Sequence, residues 1–139
     1  MYRNILLGTD GSDHARTAAG HAIAAADCFD CTLHALYVIE TRTAYDNAIV
    51  DRETVTANLR EEGTAALEAV AQRAESEGVE TVTAIEEGVP AEQICSYIER
   101  EGIDMVYLGE RGQSEFKTVL LGSTSETVIH ETEIPVVVL

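Results

Sequence analysis

Residues 108–124 have the sequence Leu-Gly-Glu-Arg-Gly-Gln-Ser-Glu-Phe-Lys-Thr-Val-Leu-Leu-Gly-Ser-Thr, with glycines at positions 109, 112 and 122. The apolar run 103–108 that leads into them is typical of a buried strand, and the residues after Gly122 predict a helix. A glycine-containing loop between a strand and a helix favours anion binding, because the first amides of the helix are unpaired and its dipole attracts negative charge. The stretch therefore predicts a nucleotide or phosphate held by backbone amides.

Apolar runs and helical periodicities alternate along the rest of the chain. Strands are predicted at 4–9, 31–39, 79–85, 103–108 and 134–139, and helices at 14–26, 52–77, 91–101 and 124–131. This order predicts a single α/β domain spanning 1–139, with a doubly wound, five-stranded parallel sheet and helices on both faces. Ligands bind such sheets beyond the carboxyl ends of the strands, where the winding direction reverses. If the first and fourth strands are neighbours, their polar loops 9–12 and 109–123 line one crevice.

The charge of the chain excludes several classes of partner. The 139 residues carry a net charge of −16, and Lys117 is the single lysine. Such a surface repels nucleic acids and anionic membranes, so neither is expected as a partner. The sequence starts with a short strand rather than a signal peptide, and we expect a cytoplasmic location. Two interpretations of the acidity stay open: an ordinary acidic protein, or a halophilic one adapted to a salt-rich cytoplasm, which the scarcity of lysine favours.

Other phosphate-binding and catalytic patterns are missing from the sequence. There is no G-x-x-x-x-G-K-[S/T] motif, and no G-x-G-x-x-G follows the first strand. The single C-x-x-C, Cys28 to Cys31, cannot supply four zinc ligands. The four histidines show no i, i+4 pair. No residue is therefore predicted to be catalytic.

The spacing that remains, G-x2-G-x9-G-S, resembles that of the universal stress protein family, and the resemblance covers essentially the whole chain. The segments that carry it are 5–12 (Ile-Leu-Leu-Gly-Thr-Asp-Gly-Ser), 36–38 (Leu-Tyr-Val), 88–94, 104–109, 120–128 and 134–138. The resemblance implies a three-layer sandwich of the adenine nucleotide alpha hydrolase-like type and, commonly, a homodimer. For members with this glycine motif it also implies ATP binding.

Matching this family motif assigns a role to each residue of the site. Asp10 would lie near the ligand, Val38 would contact adenine through its backbone, and Gly109 and Gly112 would lie against ribose and phosphates. Because like charges repel, Asp10 is expected to bind ribose hydroxyls or a phosphate-bridging Mg²⁺; the alternative is a helix-capping role. The expected ligand is ATP with Mg²⁺, or AMP or ADP in its place. The full set of predicted binding residues is Thr9, Asp10, Val38, Gly109, Arg111, Gly112, Lys117, Gly122, Ser123 and Thr124.

The chain departs from the family pattern inside the glycine loop. Glu110 and Arg111 stand where the family often has a small or polar residue followed by histidine, and Glu115 adds another acid. Carboxylates beside a triphosphate weaken its binding unless they face solvent or share a metal. The positive charges of Arg111 and Lys117 are expected to offset them.

These features together predict a nucleotide-dependent regulatory module rather than an enzyme, with ATP hydrolysis slow at most. The alternatives are a protein-interaction module of the same fold that binds no nucleotide, and a slow ATP hydrolase. The apolar last strand, 134–139, is expected to pair with the same strand of a second copy, because an uncovered apolar edge invites aggregation. A further protein partner is expected but not identified by the sequence.

Overall fold

Strands and helices alternate in the computed structural model of the protein, which describes residues 1–40, 52–110 and 122–139. The elements, in chain order, are β1 (Asn4–Gly8), α1 (Asp13–Phe29), β2 (Thr32–Glu40), α2 (Arg52–Ser76), β3 (Thr81–Gly88), α3 (Pro90–Glu101), β4 (Met105–Leu108), α4 (Ser123–Glu131) and β5 (Val136–Val138). The predicted order is confirmed. The last strand is shorter than predicted, since its pairing with β4 begins only at Val136.

The strands form one parallel sheet of order β3-β2-β1-β4-β5. Central β1 pairs with β2 on one side and β4 on the other, so that Ile5 lies opposite both Leu33 and Met105. From β1 the chain winds outward through β2 and β3, and then crosses back to β4 and β5. The winding direction therefore reverses between β1 and β4, and the predicted doubly wound α/β fold is confirmed.

Helices cover both faces of the sheet because alternate strand residues point to opposite sides. Ile5 and Leu7 pack with α1 and α2, whereas Leu6 packs with α3 and α4, and all three are 0% exposed. The face of α1 that meets the sheet is mostly alanine, which lets the helix approach the strands closely. Its buried residues are Ala15, Ala18, Ala19, Ala22, Ile23 and Ala26.

Local backbone signals set the helix ends. Ser12 caps α1 by accepting a hydrogen bond from the Ala15 amide at 3.2 Å. Pro90 begins α3, and Gly102 ends it in the left-handed region with φ 64°. Both glycine stops predicted from the sequence are confirmed, since Gly78 follows α2 with φ 74°.

The surface carries ion pairs between partly exposed side chains. Arg100 Nη2 lies 3.0 Å from Glu86 Oε1, and Arg60 Nη2 lies 3.7 Å from Glu87 Oε1. Pairs this exposed to solvent each contribute about 0–1 kcal/mol to stability. Across 1–40, 52–110 and 122–139, no helix has the length and apolarity to cross a membrane.

Candidate functional site

The predicted crevice lies where the carboxyl ends of β1 and β4 meet. Gly8 and Leu108, the last residues of the two strands, are paired in register. Gly109, the next residue, packs against the first turn of α1: a Cβ on it would lie 3.0 Å from both the Ala15 nitrogen and the His14 carbonyl carbon. The first and fourth strands are therefore neighbours, and Gly109, the first residue after β4, lies against the first turn of α1.

The loop after β1 is a tight turn held by its own polar groups. The Thr9 amide donates to the Leu36 carbonyl at 2.9 Å, which extends the β1–β2 ladder by one residue. The Thr9 hydroxyl accepts from the Gly11 amide at 3.1 Å, and Gly11 takes the left-handed φ of 78°. Thr9 is 8% exposed. Its visible role is to fix the turn, and ligand contact by Thr9 stays a prediction.

Asp10 sits on this turn, half-buried, at the mouth of the crevice. One of its carboxylate oxygens accepts a hydrogen bond from the Ser12 amide at 2.9 Å. The N-cap of α1 is Ser12 and not Asp10, so the carboxylate shapes the turn rather than capping the helix. This hydrogen bond does not test ligand binding by Asp10, which stays a prediction.

Tyr37 of β2, which was not among the predicted site residues, lies within electrostatic range of Asp10. Burial raises the pKa of the Tyr37 phenol, and the negative charges of Glu62 and Asp10 raise it further. Its ring fills the space that a side chain on Gly63 of α2 would need, since a Cβ there would lie 2.7 Å from Cδ1. The strand motif 36–38 contained Tyr37, but the glycine that accepts its ring is distant in sequence.

The N-terminus of α4 forms the other side of the crevice. Gly122 is its N-cap residue, and within the described ranges no side chain caps this helix. The first turn contains Ser123, which is exposed, and Thr124, which is half-buried. Helix geometry leaves the amides of this turn without partners inside the helix, and the dipole adds partial positive charge. Such an end attracts an anion.

Glu110 connects this helix end to the sheet through its backbone. Its amide donates to the Leu139 carbonyl at 2.5 Å, and its carbonyl accepts from the Gly122 amide at 2.6 Å. The residue is half-buried. Glu110, a departure from the family pattern, therefore has a structural role in its backbone regardless of its charge.

The structure brings most of the described predicted residues to one edge of the sheet. Thr9, Asp10, Gly109 and the first residues of α4 lie beyond the carboxyl ends of β1 and β4. Val38 lies on β2, two residues beyond the Leu36 carbonyl that Thr9 contacts. The predictions for Arg111, Gly112 and Lys117, and the acid at Glu115, fall outside the described residues.

A magnesium ion at this edge would depend on the nucleotide for most of its ligands. Among the described residues, no group of three His, Cys, Asp or Glu side chains could hold a metal ion. Mg²⁺ bound with a nucleotide typically takes one or two carboxylates and completes its octahedron with phosphate oxygens and water. Asp10 could supply one such carboxylate.

The fold and the site together define an α/β protein whose doubly wound sheet has, at its switch point, a helix N-terminus that no side chain of the described residues caps. The family model described as the universal stress protein family matches residues 1–139, and the chain belongs to this family. Universal stress protein MJ0531 of Methanocaldococcus jannaschii is 37% identical over 139 residues, which cover 99% of this chain and 82% of that protein. The resemblance inferred from the sequence is thereby confirmed.

Solved structures share the fold over the whole chain. The structure of MJ0577 from the same organism, a structural-genomics test case of assigning function from structure, has a TM-score of 0.86 at 31% identity, covering 100% of this chain and 96% of that one. Two more distant neighbours hold nucleotides. A universal stress protein in complex with cAMP has a TM-score of 0.77 at 19% identity, covering 99% of this chain and 97% of that one. An Arabidopsis thaliana family protein with AMP bound has a TM-score of 0.69 at 15% identity, covering 99% and 90%.

Proposed function

We propose that this protein binds an adenine nucleotide, ATP in the first place, in the crevice between β1 and β4. The observation that carries the proposal is the N-terminus of α4, which no side chain of the described residues caps, together with the nearby turn that carries Asp10. A helix end of this kind stabilises phosphate charge, and the carboxylate suits ribose hydroxyls or Mg²⁺. The neighbours that hold cAMP and AMP support the choice of an adenine nucleotide.

In this proposal each side of the crevice takes a different part of the ligand. The amides and hydroxyls of Ser123 and Thr124 hold phosphates, since they lie in the first turn of α4. Asp10 holds the ribose or the metal, and the backbone of Val38 holds the adenine at the end of β2. Arg111 and Lys117 of the glycine loop offset the negative charges of Glu110 and Glu115.

We propose regulation by binding, and not turnover, as the role of the site. Phosphoryl transfer to water needs a group that orients the attacking water and cationic groups that stabilise the transferring phosphoryl. Of the polar groups described around the crevice, the Thr9 hydroxyl and one Asp10 oxygen already take part in the β1 turn. A bound nucleotide would then bias the conformation or the partner binding of the protein through its differential affinity for two states.

The proposal includes a homodimer formed through the last strand, 134–139. β5 is the terminal strand of the sheet, and its residues Val136–Val138 are only half-buried. Antiparallel pairing of two such strands would satisfy their outer backbone groups and cover the valines. Light scattering during size-exclusion chromatography is expected to give twice the 15.0 kDa mass of the chain. A monomer at micromolar concentration would refute the dimer without touching the nucleotide proposal.

Titration calorimetry with ATP, ADP, AMP and cAMP, each with and without Mg²⁺, tests the nucleotide proposal. Asp10→Asn is expected to weaken ATP binding, because it removes the carboxylate from the mouth of the crevice. Asp13→Asn is the matched control: it makes the same chemical change three residues away, on a side chain that is 88% exposed. Equal affinities of both variants and the wild type would reject the role of Asp10. If the wild type binds none of the four nucleotides, and none is released on denaturation, the interaction-module alternative replaces the proposal.

A further inference from the structure

Ser125 makes a contact that the glycine motif does not account for. It lies in the first turn of α4, its side chain is 3% exposed, and its hydroxyl donates to the Gly109 carbonyl at 3.0 Å. The Thr127 hydroxyl on the same helix donates instead to the Ser123 carbonyl at 2.9 Å, inside α4. A buried hydroxyl needs a hydrogen-bond partner. Ser125 finds its partner on the strand side of the crevice, so its bond joins two elements.

Gly109, which accepts this bond, is held in place on its other side by α1. A Cβ on Gly109 would lie 3.0 Å from the Ala15 nitrogen, the His14 carbonyl carbon and the His14 Cβ. These atoms belong to the helical turn that directly follows the Asp10 loop, and the Ser12 cap holds its backbone in position. The Ser125 bond therefore fixes α4 relative to the part of the chain that carries Asp10.

A second bond acts on the same helix end. The Gly122 amide donates to the Glu110 carbonyl at 2.6 Å, one residue further along the chain from Gly109. These two bonds, to the adjacent residues Gly109 and Glu110, tie the first helical turn to the end of β4. Removing the Ser125 hydroxyl would leave the backbone bond alone.

We infer that Ser125 is a positioning residue: its hydroxyl, through the Gly109 carbonyl, sets the distance between the first-turn amides of α4 and the Asp10 loop. This inference rests on the proposed nucleotide site. The phosphates meet the α4 amides while ribose and adenine meet the β1 and β2 side, so both ends of the ligand are matched only when the two sides keep this spacing. Nucleosides, which lack phosphates, do not depend on it.

Ser125→Ala removes a single oxygen atom and tests whether ATP binding depends on this bond more than adenosine binding does. The Ser125 bond is present with and without ligand, so its loss weakens binding only by displacing the helix end, and the effect is at most about fivefold in affinity. ATP binding is expected to weaken by up to this factor, while adenosine binding changes less than about twofold. Thr127→Val is the control, because it removes a hydroxyl from the same helix without affecting the bond to Gly109. It is expected to leave the affinities for ATP and adenosine unchanged.

Hydrogen exchange of the ligand-free protein provides a second readout. Ser125→Ala is expected to speed exchange at the Gly122 and Glu126 amides, which donate to the Glu110 and Gly122 carbonyls, and to leave β1 amides unchanged. Thr127→Val is the reference for helix fraying. Equal loss of ATP and adenosine affinity would show a general structural role and overturn the inference, as would unchanged ATP affinity. If the wild type binds no ATP, the proposed function fails, and the exchange rates still decide whether Ser125 positions the helix end.

Discussion

Replacing Gly109 by alanine tests whether the close contact between the β4 end and α1 builds the crevice. The added Cβ would meet three atoms of His14 and Ala15 at 3.0 Å, a few tenths of an ångström inside van der Waals contact. Two of these atoms are helix backbone and cannot turn away as a side chain would. Overpacking of this kind costs about 1–3 kcal/mol. A loss of about 2 kcal/mol lowers the melting temperature of a domain of this size by roughly 6 °C.

The same change is expected to weaken nucleotide binding. Moving Gly109 away from α1 also disturbs its carbonyl, which accepts from the Ser125 hydroxyl at 3.0 Å. Loss of that bond can weaken ATP binding by at most about fivefold, through displacement of the α4 N-terminus. Calorimetric titration measures the affinity, and differential scanning calorimetry measures the melting temperature.

Gly78→Ala separates the loss of stability from the loss of ATP affinity. Gly78 has a left-handed φ of 74° and no atom within 4 Å of its would-be Cβ, so alanine there is strained without being crowded. The strain costs about 1–2 kcal/mol, and the site lies between α2 and β3, at the opposite edge of the sheet from the crevice. We expect comparable destabilisation with unchanged ATP affinity. Equal weakening of ATP binding in both variants, or a Gly109→Ala protein as stable as the wild type, would show that the contact of Gly109 with α1 does not shape the site.

Two further predictions concern stability. Burial lowers the pKa of His34 from 6.5, although Glu101 opposes the shift, and the ring is held by Tyr97 Oη at 2.7 Å and Asn4 Oδ1 at 3.1 Å. The unfolded chain therefore binds more protons than the folded protein just below pH 6.5. The unfolding free energy, measured in urea, should fall as the pH drops below 6.5 and level off above it. The same pH dependence of the unfolding free energy in His34→Gln would contradict this. With a net charge of −16, molar KCl should raise the melting temperature, and unchanged melting would refute adaptation to high salt.

The layout of the fold followed from the sequence because its signals are local. Apolar runs and helical spacings predicted every strand and helix of the described ranges, and Gly78 and Gly102 stop their helices where φ turns positive. The last strand was predicted too long. Pro135 has no amide to donate, so it contributes only its carbonyl, which accepts from the Val106 amide at 3.0 Å before the pairing at Val136 begins.

The contacts that shape the site could not be predicted in the same way, because they join residues distant in sequence. Ser125 reaches Gly109 across sixteen positions, and Tyr37 fits against Gly63 on a different helix. Residue type alone also left the role of Asp10 open between ligand and cap. The cap belongs to Ser12, which only the geometry of the turn reveals.

The most direct test of the central claim is a titration of isotope-labelled protein with Mg-ATP, followed by amide chemical shifts. We expect the largest shifts on the amides of Ser123 and Thr124 and on the Asp10 turn, at the carboxyl edge of the sheet. The amides of Gly78 and Gly102, which follow helices at the other edge, should stay in place. Shifts centred away from the α4 N-terminus, or none at millimolar ATP, would contradict a nucleotide site between β1 and β4.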